Sequence, residues 1–306
     1  MTVRTLSVLL LAAACTLGTT GLAEAQSSTQ RPKSIRATTR PTSTVTLESP
    51  DGKPLPSAES ILKRSVDASR IAKAWKGSRG RITRASLSMS SDAFKGDVTI
   101  YQKDPGLLRS VVNLSGLGRM EQGYDGKVVW ANDPIMGARV LEGAEAEQFR
   151  MQYDPTALSR PDEIFTKVET LRLTKFGDHR VHEVLMVTKD GTKMKGFFDV
   201  ETGHQVGMEM TMSTMMGDLP VKTTMENYRE FEGALLPATM KAVAMGIDTN
   251  FTITAIELDP EQMPSFEPPA AIKALAAEQA GGTATAPPTT AAPSASTRPA
   301  TAGSGR

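Results

Sequence analysis

Apolar positions along this chain change their period once, near residue 79, and the change separates a helical opening from a long run of strands. Between residues 57 and 76, Ile61, Leu62, Val66, Ala68, Ala72 and Trp75 share one broad face when the chain is wound at about 100° per residue. Glu59, Lys63, Asp67 and Arg70 gather opposite. Pro56 precedes a capping residue, Ser57, and Gly77 stands where a left-handed residue would stop the helix. The pattern predicts one amphipathic helix over 57–76.

Beyond residue 79 apolar and polar residues alternate. Strands are predicted at 82–89, 94–101, 107–114, 119–124, 127–130 and around 139–141. They resume at 168–175, 181–188, 193–200, 205–213, 221–229, 238–245 and 250–258. Between the two runs, an Ala/Glu-rich insert from 143 to 167, fragmented by Pro155 and Pro161, reads as helical. The links are turn chemistry, such as Gly177-Asp178, Lys189-Asp190-Gly191 and Glu201-Thr202-Gly203. Asp125-Gly126 predicts a tight hairpin turn with Gly126 at positive φ, and Asn132-Asp133-Pro134 ends the next strand because proline brings no N–H to a ladder. Short links of this kind join antiparallel neighbours. The expected fold class is therefore α+β: one large antiparallel sheet with one or two helices, or a partly open barrel.

Both ends of the 306-residue chain differ from this core. Residues 1–25 match a secretory signal, with Arg4, an apolar run over 6–17 and a small-residue cleavage site at Ala23-Glu24-Ala25. Cleavage there removes Cys15, the sole cysteine, and with it any internal disulfide. A second reading competes: residues 11–15 resemble a bacterial lipoprotein box, in which Cys15 would carry the lipid, although Ala12 stands where a larger aliphatic residue is usual. Either way the protein is expected to be exported to the periplasm, free or anchored through Cys15. Residues 26–56 read as a basic, disordered linker able to touch an anionic membrane surface, 57–263 as the folded domain, and 264–306 as a disordered Ala/Thr/Pro-rich tail.

Charge and chemistry narrow the function classes. Lys plus Arg is 35 against 34 for Asp plus Glu, and aromatics are 5%, which argues against nucleic acid as a partner. Methionine stands out at 16 residues, ten of them between Met186 and Met245. Val206, Met208, Met210 and Met212 alternate with polar residues, so one adaptable apolar face is expected inside the molecule, either as plain core or as a wall against flexible chains. The same methionines with Met215, Met216 and His204 form a rival thioether set for Cu(I), though strand spacing separates the first three by about 7 Å each. His179 and His182, three apart on a strand, face opposite ways and do not form a metal pair. No catalytic motif or cofactor fingerprint occurs, so neither an enzyme nor a cofactor is expected. The acidic run Glu142, Glu145, Glu147, Asp162 and Glu163 reads as a solvated face, with an acid–base pair for an envelope hydrolase as the alternative.

Three segments resemble the LolA/LolB-like lipoprotein-carrier superfamily, especially its sorting-like relatives of unknown function. They are Gly123-Tyr124-Asp125-Gly126-Lys127-Val128-Val129-Trp130-Ala131-Asn132-Asp133-Pro134, then Phe198-Asp199-Val200-Glu201-Thr202-Gly203, and the stretch from Tyr228 through Glu232-Gly233 to Pro237. The resemblance implies a strongly curved sheet, an open half-barrel, wrapped around the first helix and the short insert. It also implies an apolar cavity for a lipid or lipoprotein acyl chain. The residues expected to wall it are Ile61, Leu62, Val66, Trp75, Met208, Met210, Met212, Phe251 and Ile253. A structural module with a filled core is the alternative.

Overall fold

Turn chemistry joins the strands in sequence order. The computed structural model describes residues 52, 54–89, 92–152, 157–189, 191–214 and 217–282. The leader with Cys15, the linker up to residue 51, Met215, Met216 and residues 283–306 lie outside the described residues.

Among the described residues, thirteen strands form one antiparallel sheet. They are β1 (Gly80–Met89), β2 (Phe94–Lys103), β3 (Leu107–Leu114), β4 (Gly118–Tyr124), β5 (Val129–Asp133), β6 (Gly137–Leu141), β7 (Phe165–Phe176), β8 (His179–Thr188), β9 (Lys193–Asp199), β10 (Gln205–Thr214), β11 (Gly217–Phe231), β12 (Ala234–Ala244) and β13 (Ile247–Leu258). Their spatial order is β6-β5-β4-β3-β2-β1-β13-β12-β11-β10-β9-β8-β7, so every pairing except β1 with β13 is between sequence neighbours. The sheet is not closed: β6 and β7 are its two edges, and the helical insert runs between them. The fold is mostly β with few helices, a coarser outcome than a half-barrel wrapped around a helix.

The motif segments show why these residues make these turns. Asp125 Oδ1 accepts from the backbone N–H of Lys127 (2.9 Å) and Val128 (2.8 Å), and Gly126 has φ 97°. Positive φ at Gly126 is thus found, within a loop of residues 125–128 rather than a two-residue turn. Gly123 lies opposite fully buried Trp130, and a Cβ at Gly123 would meet the indole at 2.5 Å. Asp199 organises the β9–β10 turn, accepting from the backbone N–H of Glu201 (3.0 Å) and Thr202 (2.7 Å). The Tyr228 hydroxyl donates to the Gln205 carbonyl at 2.6 Å, tying β11 to the start of β10.

The first helix is shorter than its period suggests. Helix α1 (Ala58–Ser69) is capped by Ser57, whose hydroxyl accepts from the Ser60 N–H at 3.2 Å. Arg70 then adopts a left-handed conformation (φ 59°) and donates its backbone N–H to the Asp67 carbonyl, which ends the helix before Gly77. A second short helix, α2 (Ile71–Ala74), follows in a new direction. The buried stripe of α1 is Ala58, Ile61, Leu62 and Ser65, and the cluster it joins spans β1 to β13. The insert contributes α3 (Gly143–Gln152), a 3-10 turn (Ala157–Ser159) that touches α1, and α4 (Pro161–Ile164).

Two expectations need correction. A β-bulge at Gln205–Gly207 turns Val206 away from Met208 and Met210 and into a small cluster on the other face with Phe176, Val181 and Phe197. The clean alternation read from sequence fails there because the bulged strand carries one residue more than its partner. The tail expected from residue 264 is also structured over its first part. Helix α5 (Ala270–Gly282) packs against edge strand β6 with Ile272 fully buried, and the Ser265 carbonyl accepts from Arg109 at 2.7 Å. Covering β6 shields an otherwise open edge. Among the described residues, no helix is long and apolar enough to cross a membrane.

Candidate functional site

Directly paired residues on neighbouring strands share a face, so cross-strand rows show what each region of the inner face is made of. One row runs Met186–Met194–Met210–Val221–Ala244–Ile247 across β8 to β13. All six are at most 6% exposed and belong to the main core cluster. A second row, at the opposite ends of the strands, runs Leu258–Arg81–Gln102–Leu108–Tyr124 across β13, β1, β2, β3 and β4. Here a charge and an amide interrupt the apolar face.

Over this second row lies a pocket of ≈ 650 Å³, between α2, the β2–β3 turn and the insert. Leu108 of its floor belongs to the main core cluster, and Trp75, Tyr124 and Leu258 pack against that cluster, so the main core backs this side of the pocket. Among the described residues its lining includes Arg79, Arg81, Lys103, Arg150 and Arg160 together with the carboxylate of Asp104. The Arg81 guanidinium stacks 4.5 Å from the Trp75 ring centre and bonds Gln102, and that of Arg150 sits 5.3 Å from the ring of Tyr124. Asp259 fixes the approach to β1: its carboxylate accepts from the N–H of Arg79 (2.7 Å) and Gly80 (2.9 Å) and from the Ser78 hydroxyl (3.2 Å). The hydrogen bond from Arg79, then those from Gly80 and Ser78, hold its pKa below the ordinary value against burial.

Of the nine expected wall residues, Ile61, Leu62, Met208, Met210, Phe251 and Ile253 come together in the main core cluster, each at most 7% exposed. Trp75 packs against that cluster and is the one of the nine that lines the pocket. Val66 is half-buried, and Met212 lies on β10 opposite Leu219, with its side chain outside the described residues. The break at Arg70 is what separates Trp75 from the α1 stripe and delivers it to the pocket. The arginines carry little signal along the chain, because isolated charges usually belong to solvated faces. The available signal was Arg79 and Arg81, two apart at the head of a strand and therefore on one side of it.

The other candidate chemistry does not converge. His179 pairs with Phe176 of β7 and His182 with Leu173 and Phe198, which puts the two histidines on opposite faces. Burial lowers the pKa of His182, with Arg64 and Arg180 adding to the effect. Among the described residues no group of three His, Cys, Asp or Glu is placed to hold a metal ion. Glu145 pairs with Arg139 at 2.7 Å and Glu163 with Arg160 at 2.7 Å.

No protein-family model matches the chain, and no curated protein matches it either. Solved structures do. A DUF1329 family protein from Desulfovibrio piger is similar with a TM-score of 0.49 at 11% identity, over 70% of this chain and 98% of that one. A LolA superfamily protein from Nitrosomonas europaea is similar with a TM-score of 0.46 at 11% identity, over 69% of this chain and 96% of that one. A protein from Vibrio parahaemolyticus, described as an outer membrane lipoprotein-sorting protein domain, is similar with a TM-score of 0.44 at 12% identity, over 66% and 95%.

Proposed function

We propose that this protein is an exported, non-enzymatic binding protein that holds an acyl chain, lipid or lipoprotein between the inner face of its sheet and the helices lying on it. The observation that carries this reading is the ≈ 650 Å³ pocket whose lining includes Leu108 of the main core cluster and Trp75, Tyr124 and Leu258 packed against it. Its size suits a small amphiphile, since ligand sites span about 300–1,000 Å³. Methionines 186, 194, 208 and 210 deeper in the same cluster are unbranched and can repack around a chain that enters from the pocket.

Bending of the sheet around the helices belongs to the same reading. Thirteen strands laid flat measure about 58 Å across. The insert joining the two edges reaches about that far only if extended and collinear. It also touches β5 and α1 on its way, so it takes a longer path and supports edges drawn towards each other.

Native mass spectrometry of protein purified from its own envelope is expected to show a co-purifying apolar species. A bare polypeptide mass, together with no uptake of a fluorescent fatty acid, would overturn the proposal. The near-complete burial of Leu62, Met208 and Met210 favours one other reading, a structural module whose core is permanently filled. That module would give the second result.

A further inference from the structure

The chain has three histidines, and all of them sit at one corner of the sheet, where β8 begins and β9 turns into β10. His179 lies 3.0 Å from the Asp199 carboxylate, and His204 stacks on the Tyr228 ring with centres 4.1 Å apart. His182 is buried on the inner face, paired with Phe198 of the main core cluster. Helix α1 hooks onto the same corner. Arg64 donates to the Glu201 carbonyl at 2.7 Å and packs so closely that a Cβ at Gly203 would meet its side chain at 3.0 Å. Arg70, the left-handed elbow between α1 and α2, pairs with Glu230 at 3.4 Å. We propose that this elbow is acid-operated: it stays docked while His182 is neutral, and protonation of His182 frees the segment from Val66 to Trp75, widening the pocket that Ile71, Ala72 and Trp75 line. The inference goes beyond the proposed function, and the movement needs no ligand.

Imidazole is the side chain that changes charge near neutral pH, and a charge is costly to bury. Leu173 of β7 and Phe198 of β9 flank His182, and neither can balance a proton there. Arg180 stands two residues back on the same face of β8, and Arg64 comes from α1. Burial first, and then these two cations, hold the pKa of His182 below its ordinary value. His204 acts in the same sense: burial lowers its pKa, with Arg70 assisting and Asp199 opposing. Tyr228 beneath it is pushed up by burial and stays neutral throughout. A charged His179 faces the Asp199 carboxylate, so acid leaves the β9–β10 turn itself in place. Lifting the elbow lets water reach the charged imidazole, so protons favour the open state as pH falls below about 6.5. The attachment of α1 is uneven in a way that suits this movement. Its buried residues, Ala58, Ile61, Leu62 and Ser65, all precede Val66, and between Val66 and Trp75 only Ile71 is buried. The helix therefore stays anchored while its last turn and α2 move.

The test is a titration of the full mature chain, free of ligand, from about pH 7.5 to about pH 5, following tryptophan emission and its quenching by acrylamide. Trp75 rides on the moving segment, whereas Trp130 on β5 is fully buried. A reversible red shift with stronger quenching is expected, with its midpoint below about 6.5 and with the far-ultraviolet circular dichroism of the sheet unchanged. Trp75→Phe is expected to lose the change, and His182→Asn to lose most of it. No change down to about pH 5 would overturn the proposal, as would a change that persists undiminished in His182→Asn. A change that appears only together with loss of the sheet signal would overturn it too, as global unfolding. Should a variant fail to fold, the parent protein decides. With histidine alone isotope-labelled, the three imidazoles give three separate titration curves by magnetic resonance. The emission midpoint is expected to follow one whose pKa lies below about 6.5, and a midpoint that follows none of them would overturn the acid-operated elbow.

Discussion

Two rows of side chains on the same sheet face differ in what they are made of. The Met186–Met194–Met210–Val221–Ala244–Ile247 row is wholly apolar and buried, whereas Leu258–Arg81–Gln102–Leu108–Tyr124 admits an arginine and an amide. A charge on an inner face is costly unless something compensates it. Here aromatic stacking and a bordering pocket supply that compensation, and the methionine row has neither. The first row is continuous core, and the second borders the pocket.

The contrast is open to attack from both sides. The largest effect is expected from Met210→Asp, which places an unpaired carboxylate in the apolar row. It should destabilise the fold by about 3 kcal/mol or more in a denaturant titration. A loss below about 1 kcal/mol would mean that this row is not the dry half of the molecule.

A smaller and more local effect is expected from Trp75→Phe. The protein has two tryptophans, one beside the pocket and one, Trp130, fully buried beneath Gly123. Ligand-induced changes in tryptophan emission should vanish in this variant, while the melting temperature falls by only a few degrees, or about 1 kcal/mol. Persistence of the emission change would place the ligand away from α2.

The gentlest probe is acid. Glu183 and Asp199 are nearly fully buried; burial alone would raise their pKa values, but hydrogen bonds and opposite charges outweigh it. Lys195 and Arg172 hold Glu183 low, and Thr202, His179 and the Glu201 N–H hold Asp199 low. A carboxylate with a lowered folded pKa stabilises the fold above its unfolded pKa and loses that contribution as pH falls through the folded one. His182, lowered mainly by burial, acts in the same direction once pH drops below its unfolded value of about 6.5. Melting temperature should therefore decline as pH falls from neutrality, first with His182 and then with the carboxylates. His182→Asn should flatten the first part of that decline, and an unchanged profile would argue that His182 is not buried in its neutral form.

Several features of the fold could be read from residues alone because they are local. Ser57 caps α1, Gly126 takes positive φ, Asp133 ends β5, and the alternating segments all became strands of a sheet that pairs in sequence order. Less of the site could be read. Trp75 was singled out, but for the wrong stripe, since a period of 3.6 gives no sign of the left-handed residue at Arg70. The bulge that turns Val206 to the other face of the sheet shows in the pairing with β9, not in the alternation within β10.

The sequence by itself determined the strands, their turns, their antiparallel order and the apolar character of one face, because each follows from backbone preferences and side-chain period over a few residues. Only the tertiary structure decided that β1 meets β13, which sets Leu258 beside Arg81, and that the insert brings Arg150 and Arg160 over the same floor. Those neighbours are scores of residues apart along the chain. Long-range pairing, and not any short motif, brings these side chains around one pocket.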